Sequence, residues 1–73
     1  MFQYVPFEES LQSDELGSYI SFGIKAVDSS NRITTSVSDV STDEAFVEDL
    51  CNRCTLQQLN PIHLLDVIED NIG

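Results

Sequence analysis

The spacing of apolar residues changes near residue 41, and this change limits the folds open to the chain. Before it, apolar side chains occupy every second position, as in a half-buried strand, and the clearest set is Ile20, Phe22, Ile24 and Ala26. After it, a stripe at 100° per residue, as on an amphipathic helix, contains Phe46, Val47, Leu50 and Cys54, with Cys51 at its edge. Strands followed by helices indicate an α+β fold.

Three segments before residue 41 have the pattern of strands. They cover residues 1–11, 19–26 and 32–38, with polar turns at 13–17 and 28–31. Because these turns are short, we expect neighbouring strands to pair antiparallel. Pro6 favours an edge position for the first strand, since proline donates no ladder hydrogen bond.

Two helices are predicted after residue 41. Ser41 or Thr42 can cap the first, Glu44 completes a capping box with Ser41, and the pattern ends near Leu56. In the second, Asn60 is the cap and Pro61 the first helical residue, and the apolar face holds Leu64, Leu65, Ile68 and Ile72. We therefore predict one small domain over residues 1–73, a three-stranded antiparallel β-meander with two C-terminal helices on one face (β-β-β-α-α).

The charge balance argues against several classes of partner. Thirteen acidic and three basic side chains give a net charge of −10, so few cations are present to neutralise nucleic-acid phosphates. No apolar run approaches the roughly 18 residues of a membrane span, and no secretion signal is recognisable. We expect no nucleic-acid and no membrane partner, and a reducing cytoplasmic location suits the two cysteines. A domain this small is marginally stable, which favours homo-oligomers.

Two groups of residues could carry chemistry, and both have a simpler structural interpretation. Cys51 and Cys54 have the spacing of a redox or half-zinc motif, but they lie late in their helix, where the dipole does not favour thiolate. Core packing explains them better, and a thiol-based redox or metal-binding protein is the alternative. His63 and Asp66 form at most a solvated pair, with no nucleophile in a supporting arrangement. We expect no enzymatic activity, catalytic residue, cofactor or metal.

Apolar side chains outside the expected core point to an interaction surface. If Ile24 and its neighbours face the helices, Tyr19 lies on the open sheet face and Gly23 leaves a flat spot beside it. Depending on the strand register, Phe2 and Tyr4 join Tyr19 on this face. On the second helix, Ile62 and Val67 flank the apolar core stripe. The candidate interface is Phe2, Tyr4, Tyr19, Gly23, Ile62 and Val67.

Three segments resemble an uncharacterised family of small acidic cytoplasmic proteins from Gram-positive anaerobic bacteria. They are residues 18–24, 39–43 and 59–70, the last being the most specific, and the similarity extends over about residues 4–72. No activity is known for that family, so the resemblance supports the fold and adds almost nothing about function.

No motif in the sequence identifies an activity. The preferred hypothesis is a small acidic, non-enzymatic protein-interaction or regulatory module that associates with itself as a homodimer or with another, basic protein. Besides the thiol-based alternative, the chain could be an acidic inhibitor or nucleic-acid mimic that binds a basic protein.

Overall fold

The order of elements is the predicted one, three strands followed by helices. The computed structural model describes residues 1–72. Its elements are β1 (Gln3–Ser13), β2 (Gly17–Val27), β3 (Ile33–Ser41), α1 (Glu44–Leu56), a short 3₁₀ helix (Pro61–His63) and α2 (Leu64–Ile72). The sheet order is β1-β2-β3 with both pairs antiparallel, and the helices pack on one sheet face. The predicted α+β meander is confirmed.

β1 and β2 form a long regular hairpin, whereas β3 is irregular. The β1–β2 register runs without a break from Gln3 opposite Val27 to Ser13 opposite Gly17. In β3 the pairing passes from Val37 opposite Ile24 to Ser41 opposite Phe22, so β3 has two extra residues there. Asp39 lies inside this bulge with φ 54°, a left-handed conformation that aspartate tolerates better than most residues.

The core lies between the sheet and the helices. Tyr4 is directly opposite Ala26, and opposed residues share a sheet face, so the even-numbered positions of β1 and β2 face the helices. The buried hydrophobic residues are Tyr4, Phe22, Ile24, Ala26, Val40, Val47, Leu50, Cys51, Cys54, Leu64 and Ile68.

Ile20 was predicted in this core and is not part of it. Its side chain is 48% exposed, although it has the same parity as Ile24. A helix of 13 residues is about 20 Å long, whereas a strand of 11 residues extends about 37 Å. The hairpin therefore extends beyond its helical cover, and Ile20 lies in the uncovered part.

The helix boundaries agree closely with prediction, but one cap and one face differ. The N-cap of α1 is Asp43, whose carboxylate accepts from the Phe46 N–H, not Ser41 or Thr42. Its negative charge suits the positive end of the helix dipole. Asn60 is an N-cap as predicted, but it caps the 3₁₀ helix, and α2 begins at Leu64 instead of Pro61. On α2 only Leu64 and Ile68 are buried, and the other two predicted face residues, Leu65 and Ile72, are exposed.

Candidate functional site

The sheet face opposite the helices is not covered by any element of residues 1–72. It carries the odd-numbered positions of β1 and β2, together with Ile33, which pairs with Val27. We call it the open face. Its apolar residues are Val5, Phe7, Leu11, Tyr19, Val27 and Ile33, each half-buried or exposed. Lys25 is also on this face, between Val5 on β1 and Ser36 on β3.

Phe7 and Gly23 form the middle of the open face. The two residues are directly opposite each other. A Cβ added to Gly23 would lie 2.4 Å from Phe7 Cζ and 2.5 Å from the Val37 carbonyl oxygen, so the phenyl ring lies over the glycine. The flat spot predicted beside Tyr19 is therefore filled, because glycine lets a neighbouring aromatic ring cover its backbone.

Next to this pair, a polar network crosses all three strands. The Asp39 carboxylate accepts from the Ser21 hydroxyl at 2.6 Å and from the Tyr19 hydroxyl at 3.1 Å. The Glu9 carboxylate accepts from the Ser38 hydroxyl at 2.7 Å and from the Asp39 N–H at 2.9 Å. Ser21 is fully buried beneath these groups. Two carboxylates are therefore held close together on the open face, above Ser21.

The electrostatics of the network favour neutral tyrosine. The pKa of Tyr19 is raised by desolvation of its hydroxyl, by its hydrogen bond to Asp39, and by the negative charges of Asp39 and Glu9. The buried Ser21 hydroxyl donates to a carboxylate, and the single histidine, His63, belongs to the helix layer on the other side of the sheet. The network is suited to holding the strands and to attracting a cation, and it does not have the parts of a nucleophilic site.

The six predicted interface residues divide between the two sheet faces. Tyr19 and Gly23 are on the open face. Phe2 and Ile62 are on the helix side and line a cavity of about 370 Å³, and Val67 packs against the core. Tyr4 is 3% exposed, and its hydroxyl donates to the Leu59 carbonyl. The expectation that Phe2 and Tyr4 join Tyr19 is wrong, because the register places Tyr4 opposite Ala26.

Side chains from the end of α1 cover part of the outer edge of β1. The Thr55 hydroxyl accepts from the Tyr4 N–H at 2.9 Å and donates to the Cys51 carbonyl. The Gln58 amide accepts from the Phe2 N–H at 3.1 Å and donates to the Phe2 carbonyl at 3.2 Å. Thr55 of α1 and Gln58, two residues after its end, therefore take the place of the partner strand that this end of the edge lacks.

Cys51 and Cys54 are free thiols in the core, the placement that the sequence predicted. The pKa of Cys51 is raised to about 12, by burial first and then by Cys54 and Glu48. Burial also raises the pKa of Cys54. Both thiols are therefore protonated and poorly reactive at neutral pH, because the thiolate is the reactive form.

Residues 1–72 contain neither a cluster of metal ligands nor a helix that could span a membrane. No three side chains of the His, Cys, Asp or Glu type lie together as metal ligands there. In the same part of the chain, every helix is too short or too polar to cross a bilayer.

Comparison with known proteins gives one match. A family model described as "Family of unknown function (DUF6514)" matches residues 2–73. No curated protein and no solved structure matches the chain.

Proposed function

The chain belongs to this family of unknown function, and on that premise we propose that it is a small, non-enzymatic module that binds another protein chain through the open face. One observation carries the proposal: six apolar side chains lie on a sheet face that no element of residues 1–72 covers. Apolar side chains left uncovered on one face of a sheet are typical of interaction sites.

The pattern of β1 supports the proposal. An antiparallel strand with one solvated face normally alternates apolar residues toward the core with polar residues toward water. In β1 the apolar residues Val5, Phe7 and Leu11 are on the open face, while Glu8 and Ser10 are on the helix side. The distal half of this strand therefore presents its apolar side away from its own helices, which favours a partner on the open face.

The charge supports a protein partner in a reducing compartment. A net charge of −10 repels nucleic acid and anionic lipid. Cys51 and Cys54 are unpaired, as is usual in the cytoplasm. Together with the resemblance to proteins of Gram-positive anaerobic bacteria, this supports a bacterial cytoplasmic protein, which fractionation of the native host would test.

The two alternative functions have less support from the geometry. Cys51 and Cys54 are in the core with raised pKa values, so a thiol-based role has no accessible thiolate to use. An acidic inhibitor or nucleic-acid mimic would bind through carboxylates alone. Its binding would decline steeply with salt and would not depend on apolar residues of the open face.

The test compares two variants that add the same charge at different places. Leu11→Glu places a carboxylate on the open face, and the control Leu16→Glu does so in the hairpin turn, where Leu16 is 71% exposed. Each immobilised protein is incubated with native lysate, and self-association is measured by sedimentation. We expect Leu11→Glu to bind at least tenfold more weakly than the wild type, whether to itself or to a partner, and Leu16→Glu to bind as the wild type does. Circular dichroism checks that both variants are folded.

Two results would overturn the proposal. One is a wild-type protein that neither retains a partner nor associates with itself. The other is binding that Leu11→Glu and Leu16→Glu affect equally.

A further inference from the structure

We infer that the chain covering the open face is a second copy of this one, packed face to face about a two-fold axis that crosses the strands at Phe7 and Gly23. The inference rests on the proposed function and names its partner. It follows from the order in which charged and apolar side chains succeed one another along the hairpin.

The open face is organised in rows of directly opposed residues. The middle row is Phe7 with Gly23; on one side follow Val5 with Lys25 and then Gln3 with Val27, and on the other Glu9 with Ser21 and then Leu11 with Tyr19. Successive rows are about 7 Å apart, since they are two residues apart along each strand. The face thus has apolar residues in the middle and at both ends, a cation on one side of the middle and carboxylates on the other.

Two stacked sheets can be related by a two-fold axis along the strands or across them. An axis along the strands would place each row on its own copy, with Lys25 against Lys25 and the Glu9–Asp39 pair against itself. An axis across the strands exchanges the rows on either side of the middle. It places Lys25 of each copy over Ser21 of the other, where Glu9 and Asp39 are held by the Ser38 and Ser21 hydroxyls. Only the second arrangement pairs opposite charges.

The contacts at the middle of the face and along β2 at its ends are apolar, whereas on β1 Val5 lies over Glu9 and Gln3 over Leu11 of the other copy. Phe7 meets Phe7 of the second copy at the axis, forming an aromatic pair, and Val27 meets Tyr19 at each end. The two copies would pack about 10 Å apart, as sheets do in a β-sandwich. The face is therefore complementary to itself in charge beside the middle row and in apolar character at the middle and along β2.

The size of the face predicts a weak dimer. Strands of 11 residues at about 3.4 Å per residue, in a sheet about 14 Å wide, offer roughly 500 Å² per copy. Two copies would bury about 1,000 Å², near the lower limit of specific interfaces. The like net charges of the two copies also oppose association. We expect dissociation in the micromolar range and a concentration-dependent equilibrium.

The first test is charge reversal, measured by sedimentation equilibrium of the full chain over micromolar to millimolar concentration. Lys25→Glu should weaken self-association at least tenfold, and Lys25→Gln should weaken it less. The control Arg53→Glu changes the net charge equally on the helix side, where Arg53 pairs with Asp49, and should have little effect. Equal effects of Lys25→Glu and Arg53→Glu would overturn the inference.

The second test locates the axis. With a short bismaleimide crosslinker, Phe7→Cys should crosslink to its own copy, while Val5→Cys, a row away from the axis and so about 14 Å from its copy, should not. The wild type controls for the buried Cys51 and Cys54. Crosslinking of Val5→Cys but not Phe7→Cys would overturn the inference by placing the axis elsewhere.

The results separate this inference from the proposed function. A chain that stays monomeric at every concentration, yet retains a partner that Leu11→Glu removes, overturns the inference and leaves the proposed function standing. If Leu11→Glu changes neither self-association nor partner binding, both are wrong.

Discussion

Asp39 organises the open face because of its backbone conformation. Its φ of 54° and the bulge around it direct its carboxylate onto the Ser21 and Tyr19 hydroxyls, while its N–H donates to Glu9. One residue therefore connects β3 to both other strands. The sequence shows only an aspartate between Ser38 and Val40, and nothing local marks it as the centre of a network.

Replacing Asp39 should destabilise the sheet. Asp39→Ala removes the acceptor for two hydroxyls, leaves the buried Ser21 hydroxyl poorly satisfied, and puts alanine at a positive φ. We expect a loss of about 2–4 kcal/mol in the free energy of unfolding, measured by urea denaturation. Glu48→Ala, which removes the same charge from an exposed helix position, should change it by less than about 0.5 kcal/mol. Equal losses for the two variants would contradict this role of Asp39.

The buried thiols predict how stability depends on alkaline pH. The pKa of Cys51 is about 12 in the folded chain against a usual 9.0, so the unfolded chain releases this proton at lower pH. The contribution is fully present below about pH 9 and is lost as the pH rises toward about 12. Urea denaturation should show the free energy of unfolding falling above pH 9, and falling less steeply for Cys51→Ala. The pKa of Tyr4 is also raised by burial and by Cys54, which extends the fall above pH 10; an identical slope for Cys51→Ala would contradict the assignment.

Single residues were predictable where their role is local. Asn60 as a cap and Cys54 in an apolar helical stripe follow from neighbours within one turn. Tyr4 was misplaced because strand register decides its face, and register depends on Ala26, 22 positions away along the chain. Phe7 over Gly23 is another non-local contact, which no spacing within one strand reveals.

At the scale of elements, β1 is an edge strand whose open side is protected along part of its length. Thr55 and Gln58 satisfy the outward backbone groups of Tyr4 and Phe2. Outward groups recur at every second residue of a strand, so Pro6 is the next position, and proline has no N–H to expose. The helix and the proline together prevent another strand from pairing with this end of β1.

Removing the Thr55 hydroxyl tests whether it protects the edge of β1. Thr55→Val keeps the side-chain shape but leaves the part-buried Tyr4 N–H without an acceptor. We expect the free energy of unfolding to fall by about 1–3 kcal/mol and the Tyr4 amide to exchange faster with deuterium. Thr42→Val makes the same change at an exposed site and should be nearly neutral. Unchanged exchange of the Tyr4 amide in Thr55→Val would show that the contact does not protect the edge.

Elements were the most predictable level. The change of apolar period identified three strands and two helices, and α1 ends at Leu56 as expected. The lengths of the elements were less predictable. β1 extends as far as Ser13, and β2 begins as early as Gly17, because cross-strand hydrogen bonds continue the ladder through polar residues. The N-cap of α1 is Asp43 and not one of the two predicted residues, because three adjacent residues can each act as a cap and β3 ends later than predicted.

At the scale of the whole molecule, excess negative charge opposes folding. The net charge is −10, and the ion pair found within residues 1–72 joins Arg53 and Asp49 on one helix. Salt screens repulsion between exposed charges. The free energy of unfolding in urea should therefore rise with sodium chloride at protein concentrations below dimerisation. A variant with Glu69→Gln and Asp70→Asn, which also removes charge from the unfavourable end of the α2 dipole, should be more stable at low salt and less sensitive to added salt; equal sensitivity would contradict the explanation.

The contacts of Thr55 and Gln58 with β1 have a consequence for synthesis on the ribosome. The groups they protect are 51 and 56 positions earlier in the chain. At about 5–20 residues per second, roughly 3–10 s pass between the translation of β1 and the translation of Thr55 and Gln58, which protect its edge. During that interval the nascent hairpin exposes both of its faces and its edge, so crowded translation of neighbouring copies on one message is the time at which mispairing between chains is most probable.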